Sequence, residues 1–364
     1  MGALATLAAA AGAVVGAGAN DAPEPVAQPG FCDERPIAQV AGQRVMVRME
    51  ARATPELLEQ ARAGAIGGVI LFPPADAAGE RLADELRRLQ QAAGAGGYPR
   101  LLVAIDQEGG IVERLPALPP QLSPFTIAEN DDRQTAALEG GATGFQLREL
   151  GIDVNLAPVL DIPTSDEQFM APRAFGSTPE QVSRLGLAFA NGMRREAVAA
   201  TAKHFPGLGR AIENTDFAPT AIDATTQQLR TDVEPFREAV AAGIELIMLS
   251  SASYPRLGSS EPAVLAPEIT TELLRDQLGF TGVAISDDLL APSISGEHPP
   301  RSAAVLAADA GVDVLLFAAD DAPGIAAALE RAIKSGRLDA AAARASCARV
   351  IELKERLASG EPLA

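Results

Sequence analysis

The feature that most constrains this chain is an alternation of two patterns. Short apolar, β-branched runs recur near 44–50 (RVMVRME), 66–72 (IGGVILF), 101–106 (LLVAID), 153–157 (DVNLA), 198–204 (VAATAKH), 244–250 (IELIMLS), 282–287 (GVAISD) and 312–317 (VDVLLF). Amphipathic stretches rich in Ala, Leu, Arg and Glu lie between most of them, at 79–93, 133–150, 179–196, 225–242 and 321–336. Some open on a helix-capping residue, as in Ser177-Thr178-Pro179-Glu180, where Thr can cap and Pro fits the first turn. Near-continuous apolar runs of strand length indicate strands buried on both faces, and helices between them indicate a parallel sheet. Eight such units in one domain predict an α/β fold of the (β/α)₈ TIM-type barrel class. An open dinucleotide-binding sheet lacks support, because no G-x-G-x-x-G follows a strand.

The ends are read differently. Residues 1–19 (MGALATLAAAAGAVVGAGA) are small, apolar and uncharged, and Ala17-Gly18-Ala19 has the small-x-small pattern of a cleavage site. A signal peptide is expected there, then a Pro-rich linker over 20–35 and a single barrel domain over 36–358. The expected location is therefore outside the cytoplasm, secreted or associated with the cell envelope. No later run is long enough to span a membrane. Two cysteines, Cys32 and Cys347, are expected to pair: an oxidising compartment permits it, and a closed barrel brings its first and last units together.

Composition removes several function classes. A formal net charge of −18 argues against nucleic acid or an anionic membrane as partner. Aromatic residues make up 4% of the chain and Trp is absent, which disfavours a long stacking groove and fits a small pocket for one or two sugars. With 2 histidines and no H-x-x-x-H spacing, a metal centre reads poorly, and no cofactor is implied. The oligomeric state is not legible.

Ionisable groups recur immediately after the apolar runs, where a barrel places its catalytic rim. They are Asp106 and Glu108 after the third run, Asp161 past the fourth, Lys203-His204 at the fifth and Asp287-Asp288 at the seventh. One such carboxylate alone would read as a helix cap. Two carboxylates with a cationic pair at one rim suggest glycosyl transfer, which needs a nucleophile, a proton donor and groups that grip hydroxyls. A Schiff-base lysine at Lys203 is the alternative chemistry.

On these residues the sequence resembles glycoside hydrolase family 3, in its single-domain β-N-acetylhexosaminidase branch. The similarity covers roughly 36–358 and is carried by LLVAIDQEGGIVERL (101–115), GIDVNLAPVLDI (151–162), PRAFG (172–176), KHFPGLG (203–209) and LGFTGVAISDDL (278–289). The resemblance implies a retaining hydrolase of terminal N-acetyl-β-D-glucosaminides, with Asp287 as nucleophile. It implies that Asp106, Arg114, Arg173, Lys203 and His204 bind the sugar. Two departures stand out. The residue after Gly109-Gly110, usually Arg, is Ile111. The loop after the fifth strand usually carries an Asp/His dyad, and here Asn214-Thr215-Asp216 stands in its place. Asp216 is therefore the expected acid/base, with Glu213 and His298 as other candidates, in a loop expected to be mobile with Phe217 as its one apolar anchor. A non-catalytic sugar-binding barrel and a family 3 hydrolase of different sugar preference are the competing readings.

Overall fold

A computed structural model describes residues 30–74, 77, 79–319 and 322–364. The expected signal peptide and residues 20–29 of the expected linker lie outside the described residues. Eight parallel strands form one sheet: β1 (Val45–Met49), β2 (Gly68–Leu71), β3 (Leu102–Ile105), β4 (Val154–Asn155), β5 (Ala199–Phe205), β6 (Leu246–Leu249), β7 (Val283–Ser286) and β8 (Leu315–Phe317). Each pairs with its neighbour in sequence, β8 returns to β1, and a parallel bridge between Ile285 and Val314 closes the ring. This is the (β/α)₈ barrel that the alternating pattern predicts, and every strand falls within its apolar run except β5, which runs one residue further, to Phe205.

The outer ring is α1 (Pro55–Ala63), α2 (Glu80–Ala95), α3 (Arg133–Leu150), α4 (Pro179–Arg195), α5 (Thr226–Ala241), the π-helical α6 (Glu268–Gln277), α7 (Pro300–Ala310) and α8 (Ala322–Lys334). A ninth helix, α9 (Ala340–Ser359), follows. The starts obey local chemistry. The hydroxyls of Thr54, Thr178 and Thr225 accept from the backbone N–H groups of Leu57, Gln181 and Gln228, each satisfying a donor that the first helical turn leaves free.

Strand alternation sorts the core into two shells. Val47, Val69, Val103, Ile247 and Phe317 point outward into the layer beneath the helices. Met46, Ile70, Leu102, Ala104, Leu246 and Ile285 point inward and fill the barrel, where Val350, Leu353 and Leu357 of α9 join them and close its floor. The same parity, carried one position past the apolar residues, aims Asp106, Lys203 and Asp287 into the upper end of the barrel.

Residues 30–35, the end of the expected linker, belong to the folded body. Phe31–Glu34 form a helical turn, Cys32 is buried, and Arg344 of α9 donates to the Cys32 carbonyl. Cys32 and Cys347 form a disulfide with Cα atoms 6.0 Å apart, as expected. A link across a sequence separation of 315 residues contributes about 5 kcal/mol in the chain-entropy model. The Cys32→Ser variant should melt well below the wild type, and reductant should lower the wild-type midpoint without moving that of the variant.

The barrel floor also buries Lys354, whose Nζ donates to Gln43 Oε1 at 2.7 Å. Burial brings its pKa down to about 7, against an opposing pull from Asp153. A lysine whose folded pKa is depressed penalises the fold once the unfolded chain takes up its proton. That penalty grows as pH falls from about 10.5 toward about 7. Lys354→Met should therefore gain stability relative to wild type at neutral pH, by up to a few kcal/mol. In denaturant titrations the difference should shrink as the pH rises toward 10.5.

Candidate active site

The strand ends open into a cavity of about 260 Å³, lined by Asp106, Glu108, Arg114, Arg173, Lys203, His204, Asp216, Asp287 and Asp288, with Phe72, Met170, Leu208 and Met248 among its apolar walls. Asp106, Arg114, Arg173, Lys203, His204, Asp216 and Asp287, the preferred residues for sugar binding and catalysis, all line this one space. A larger cavity of about 860 Å³, lined by Arg48, Met49, Leu57 and Pro74, adjoins it at Ala318.

Lys203 is the centre of the charged wall. Its Nζ lies 2.8 Å from Asp106 Oδ1 and 2.6 Å from Glu108 Oε1. Burial alone would lower the Lys203 pKa, but Asp106 and Glu108 raise it above the usual lysine value, so the group stays a cation. Glu108 also accepts two hydrogen bonds from the Arg173 guanidinium, at 2.8 and 2.7 Å. Burial would push Glu108 up. Arg173 and Lys203 outweigh it and hold it at about 2. Glu108 is thus the group on which both cations converge. Arg114 reaches Asp106 from the other side, 3.5 Å from Oδ2, with its guanidinium over the Phe72 ring.

Local chain chemistry puts these groups in place. Asp106 ends β3, and the chain then turns through a tight hairpin, Gln107–Gly109 against Val112–Glu113. Gly110 at its tip has φ 69°, a left-handed conformation that a side chain disfavours. The Gln107 side chain fastens the hairpin base by bonding Leu115 in both directions at 3.0 Å. Strand parity alone would turn His204 outward, but the register of β5 on β6 shifts between Ala202 and Phe205, and His204 also lines the cavity. Its Nδ1 lies 2.7 Å from Asp161 Oδ2. Buried Asp161 also accepts from the backbone N–H groups of His204 and Leu208.

Asp287 stands opposite this wall. Burial raises its pKa above the ordinary aspartate value; His204 and Lys203 oppose the shift, and Asp216 adds to it. Asp288 turns away. Its Oδ1 accepts from the backbone N–H groups of Leu290 and Ala318, each at 3.0 Å, which makes it the clamp between the ends of β7 and β8.

The loop after β5 differs from expectation. Phe217 is no anchor, being 80% exposed. The loop is held instead by buried Leu208, Ala211 and Thr215, by Arg210 paired with Asp232 of α5 at 2.6 Å, and by the Tyr254 hydroxyl on the Gly207 carbonyl. Gly209 lies so close to the β4 loop that a Cβ there would stand 2.2 Å from the Ile162 carbonyl oxygen. The Asn214 side chain accepts from the Asp216 N–H at 2.9 Å and shapes the turn that carries Asp216 to the cavity. Glu213 is exposed and does not line the cavity. His298 pairs with Glu261 at 2.9 Å and does not line it either. Phe72 was missed from sequence, although its place at the end of the second apolar run was a usable signal.

Removing Glu108 would leave Lys203 and Arg173 short of a buried partner, a loss of about 3–5 kcal/mol for such a pair. Because its folded pKa is depressed, its contribution is fully present above about pH 4.5 and is lost as pH falls toward about 2. The stability gap between wild type and Glu108→Gln in denaturant melts should be widest at neutral pH and should close over that acid range.

Comparison with known proteins identifies the family. Residues 37–353 match the family profile described as the glycosyl hydrolase family 3 N terminal domain. A protein of Arthroderma benhamiae described as an uncharacterized secreted glycosyl hydrolase is 36% identical over 334 residues, covering 89% of this chain and 94% of its own length. Among solved structures, a family 3 β-N-acetylglucosaminidase from Paenibacillus superposes with a TM-score of 0.85 at 32% identity. That alignment covers 89% of this chain but 63% of the Paenibacillus chain, which is longer. A β-N-acetylhexosaminidase from Beutenbergia cavernae has a TM-score of 0.82 at 33% identity, covering 88% of this chain and 99% of that one.

Proposed function

The chain belongs to glycosyl hydrolase family 3 and is a glycosidase, and on that premise we propose that it removes terminal N-acetyl-β-D-glucosamine with retention of configuration, using Asp287 as nucleophile and Asp216 as acid/base. The observation that carries this reading is that Asp287 and Asp216 share one cavity with the Asp106–Lys203–Glu108–Arg173 network. A single small cavity walled by fixed charges suits one sugar ring. Asp106, Arg114, Lys203 and His204 grip its hydroxyls, and Glu108 holds Lys203 and Arg173 in position.

In the first step an Asp287 carboxylate oxygen bonds to C1 as the C1–O bond to the leaving group breaks. Asp216 delivers its proton to the departing oxygen. In the second step Asp216 takes a proton from water, whose oxygen attacks C1 from the face the leaving group vacated, and Asp287 is released. Two displacements return the β configuration. Asp287 must be ionised to attack, and its pKa is raised, so activity is lost as pH falls through a value above that of an ordinary aspartate. Asp216 also places a negative charge where an acceptor must enter, which disfavours phosphate and favours water.

Export is part of the proposal. The Arthroderma relative is described as secreted, and a disulfide tying Cys32 to Cys347 suits an oxidising compartment. Among the described residues no helix is long and apolar enough to cross a membrane.

Wild type should turn over an aryl N-acetyl-β-glucosaminide with a good leaving group, and the first-formed sugar should be the β anomer by NMR. Asp287→Ala should lose several orders of magnitude in rate. Asp216→Ala should be slowed severely on poor leaving groups and little in glycosylation from good ones, with azide restoring the second step. An α product, or an active Asp287→Ala variant, would overturn the nucleophile; equal losses on all leaving groups without azide rescue would overturn Asp216. No turnover of any aryl glycoside by wild type would leave a sugar-binding barrel.

A further inference from the structure

Resting on the reading of Asp216 as acid/base, we infer that Arg210 and Asp232 are positioning residues for it: their ion pair fixes where Asp216 stands, and so how well poor leaving groups are expelled. The loop that carries Asp216 has a fastened stem and a tip that bonds only to itself. Leu208 of the stem and Asn214, Thr215 and Asp216 of the tip all line the cavity, so this segment forms one of its walls. In the stem, the Leu208 N–H donates to Asp161 and the Gly207 carbonyl accepts from Tyr254. In the tip, among the described residues, every hydrogen bond made by residues 212–219 stays within 212–220. Buried Thr215 packs the tip against its surroundings, but no polar contact directs it. The place of Asp216 is therefore inherited from the two ends of the segment. The far end is held by backbone alone, Thr220 and Ile222 exchanging hydrogen bonds with Ser253 at 2.9 and 2.8 Å.

Arg210 is the last side-chain tie at the near end. Its guanidinium donates from two nitrogens to the two carboxylate oxygens of Asp232, at 2.6 and 3.1 Å. A two-point contact fixes the direction of the side chain as well as its distance. The pair is shielded, with side-chain exposures of 18% for Arg210 and 3% for Asp232. Asp232 has little freedom to follow a wandering loop. It lies in α5, where buried Phe236 packs edge-on against Phe205, the last residue of β5, with ring centroids 5.4 Å apart. Thus β5, which supplies Lys203 and His204, also sets the loop that supplies Asp216, through Phe205, Phe236, Asp232 and Arg210. The groups that grip the sugar come from other segments. Loosening Arg210 should slow the steps that move a proton and spare sugar binding.

The test compares wild type with three variants of the full chain. Arg210→Ala/Asp232→Ala removes both charges, so no buried carboxylate is left unpaired. Arg210→Lys keeps the charge and loses the two-point contact. Asp216→Ala is the reference. Aryl N-acetyl-β-glucosaminides with leaving groups of graded acidity give kcat/KM, and calorimetry gives the binding of N-acetylglucosamine. The double variant should lose roughly 10- to 100-fold in kcat/KM on the poorest leaving groups and about twofold or less on the best. Azide should raise its kcat on the best, and N-acetylglucosamine should bind as it does to wild type. Arg210→Lys should fall between the double variant and wild type, and decides by the same dependence if the double variant does not fold. An equal loss on every leaving group, the mark of a merely structural pair, would overturn the role of Arg210 and Asp232. A leaving-group dependence like that of wild type would overturn it too, while that of Asp216→Ala left the acid/base reading standing. If Asp216→Ala itself shows no added dependence on the leaving group, the acid/base reading fails and the positioning role falls with it.

Discussion

The site depends on one buried ammonium group. Lys203 stands between Asp106 and Glu108, and Glu108 in turn holds Arg173 through two parallel hydrogen bonds. Lys203 and Glu108 are out of water, Asp106 and Arg173 are half-buried, and the buried charges are tolerable only because the others are present. The mutual dependence produces order. Lys203 has short contacts with two carboxylates, Asp106 and Glu108, so it cannot relax without giving up a short ion pair. A ligand that meets this cluster finds groups already oriented by one another.

The barrel supplies the rigidity that this cluster needs. Asp106, Lys203 and Asp287 each lie at or just past a strand end, at the inward parity set by the apolar residues below them. Their carboxylates and ammonium are therefore aimed by a close-packed interior, not by loops. At the opposite end α9 closes the barrel with Val350, Leu353 and Leu357, and the disulfide from Cys347 binds the start of the folded chain to that closure. The floor thus stabilises, and the upper rim carries the chemistry. Asp216 differs in kind, since it comes from a loop pinned at Arg210, Ala211 and Thr215 but exposed at Ile212 and Phe217. Asn214 and Asp216 stand where the family resemblance implies an Asp/His dyad, beside the Asp106–Lys203–Glu108–Arg173 wall.

Much of this was legible in the residues. The eight apolar runs became eight strands, because period and β-branching are local properties that survive into any fold with both sheet faces covered. Helix starts at Thr54, Thr178 and Thr225 were local as well. The charged residues at the rim were legible because polar groups that end buried runs have few structural reasons to be there. Other features were not. The part played by Glu108 was not legible, because its value lies in meeting two cations, one of them 65 residues away. Phe217 looked like an anchor and faces water, since whether an apolar side chain in a loop finds a neighbour depends on the neighbours that other segments bring.

The sequence by itself determined the alternation of strand and helix, the family, the rim on which chemistry sits and the residue types available there. These follow from local periodicity, strand parity and motif spacing, which need no knowledge of distant contacts. Only the tertiary structure decided which charges pair, that Asp288 clamps β8, that His298 is bound to Glu261 away from the site, and that Asp216 shares a space with Asp287. Those are relations between segments far apart in the chain. Their energies depend on distance and burial, which exist only once the barrel has closed.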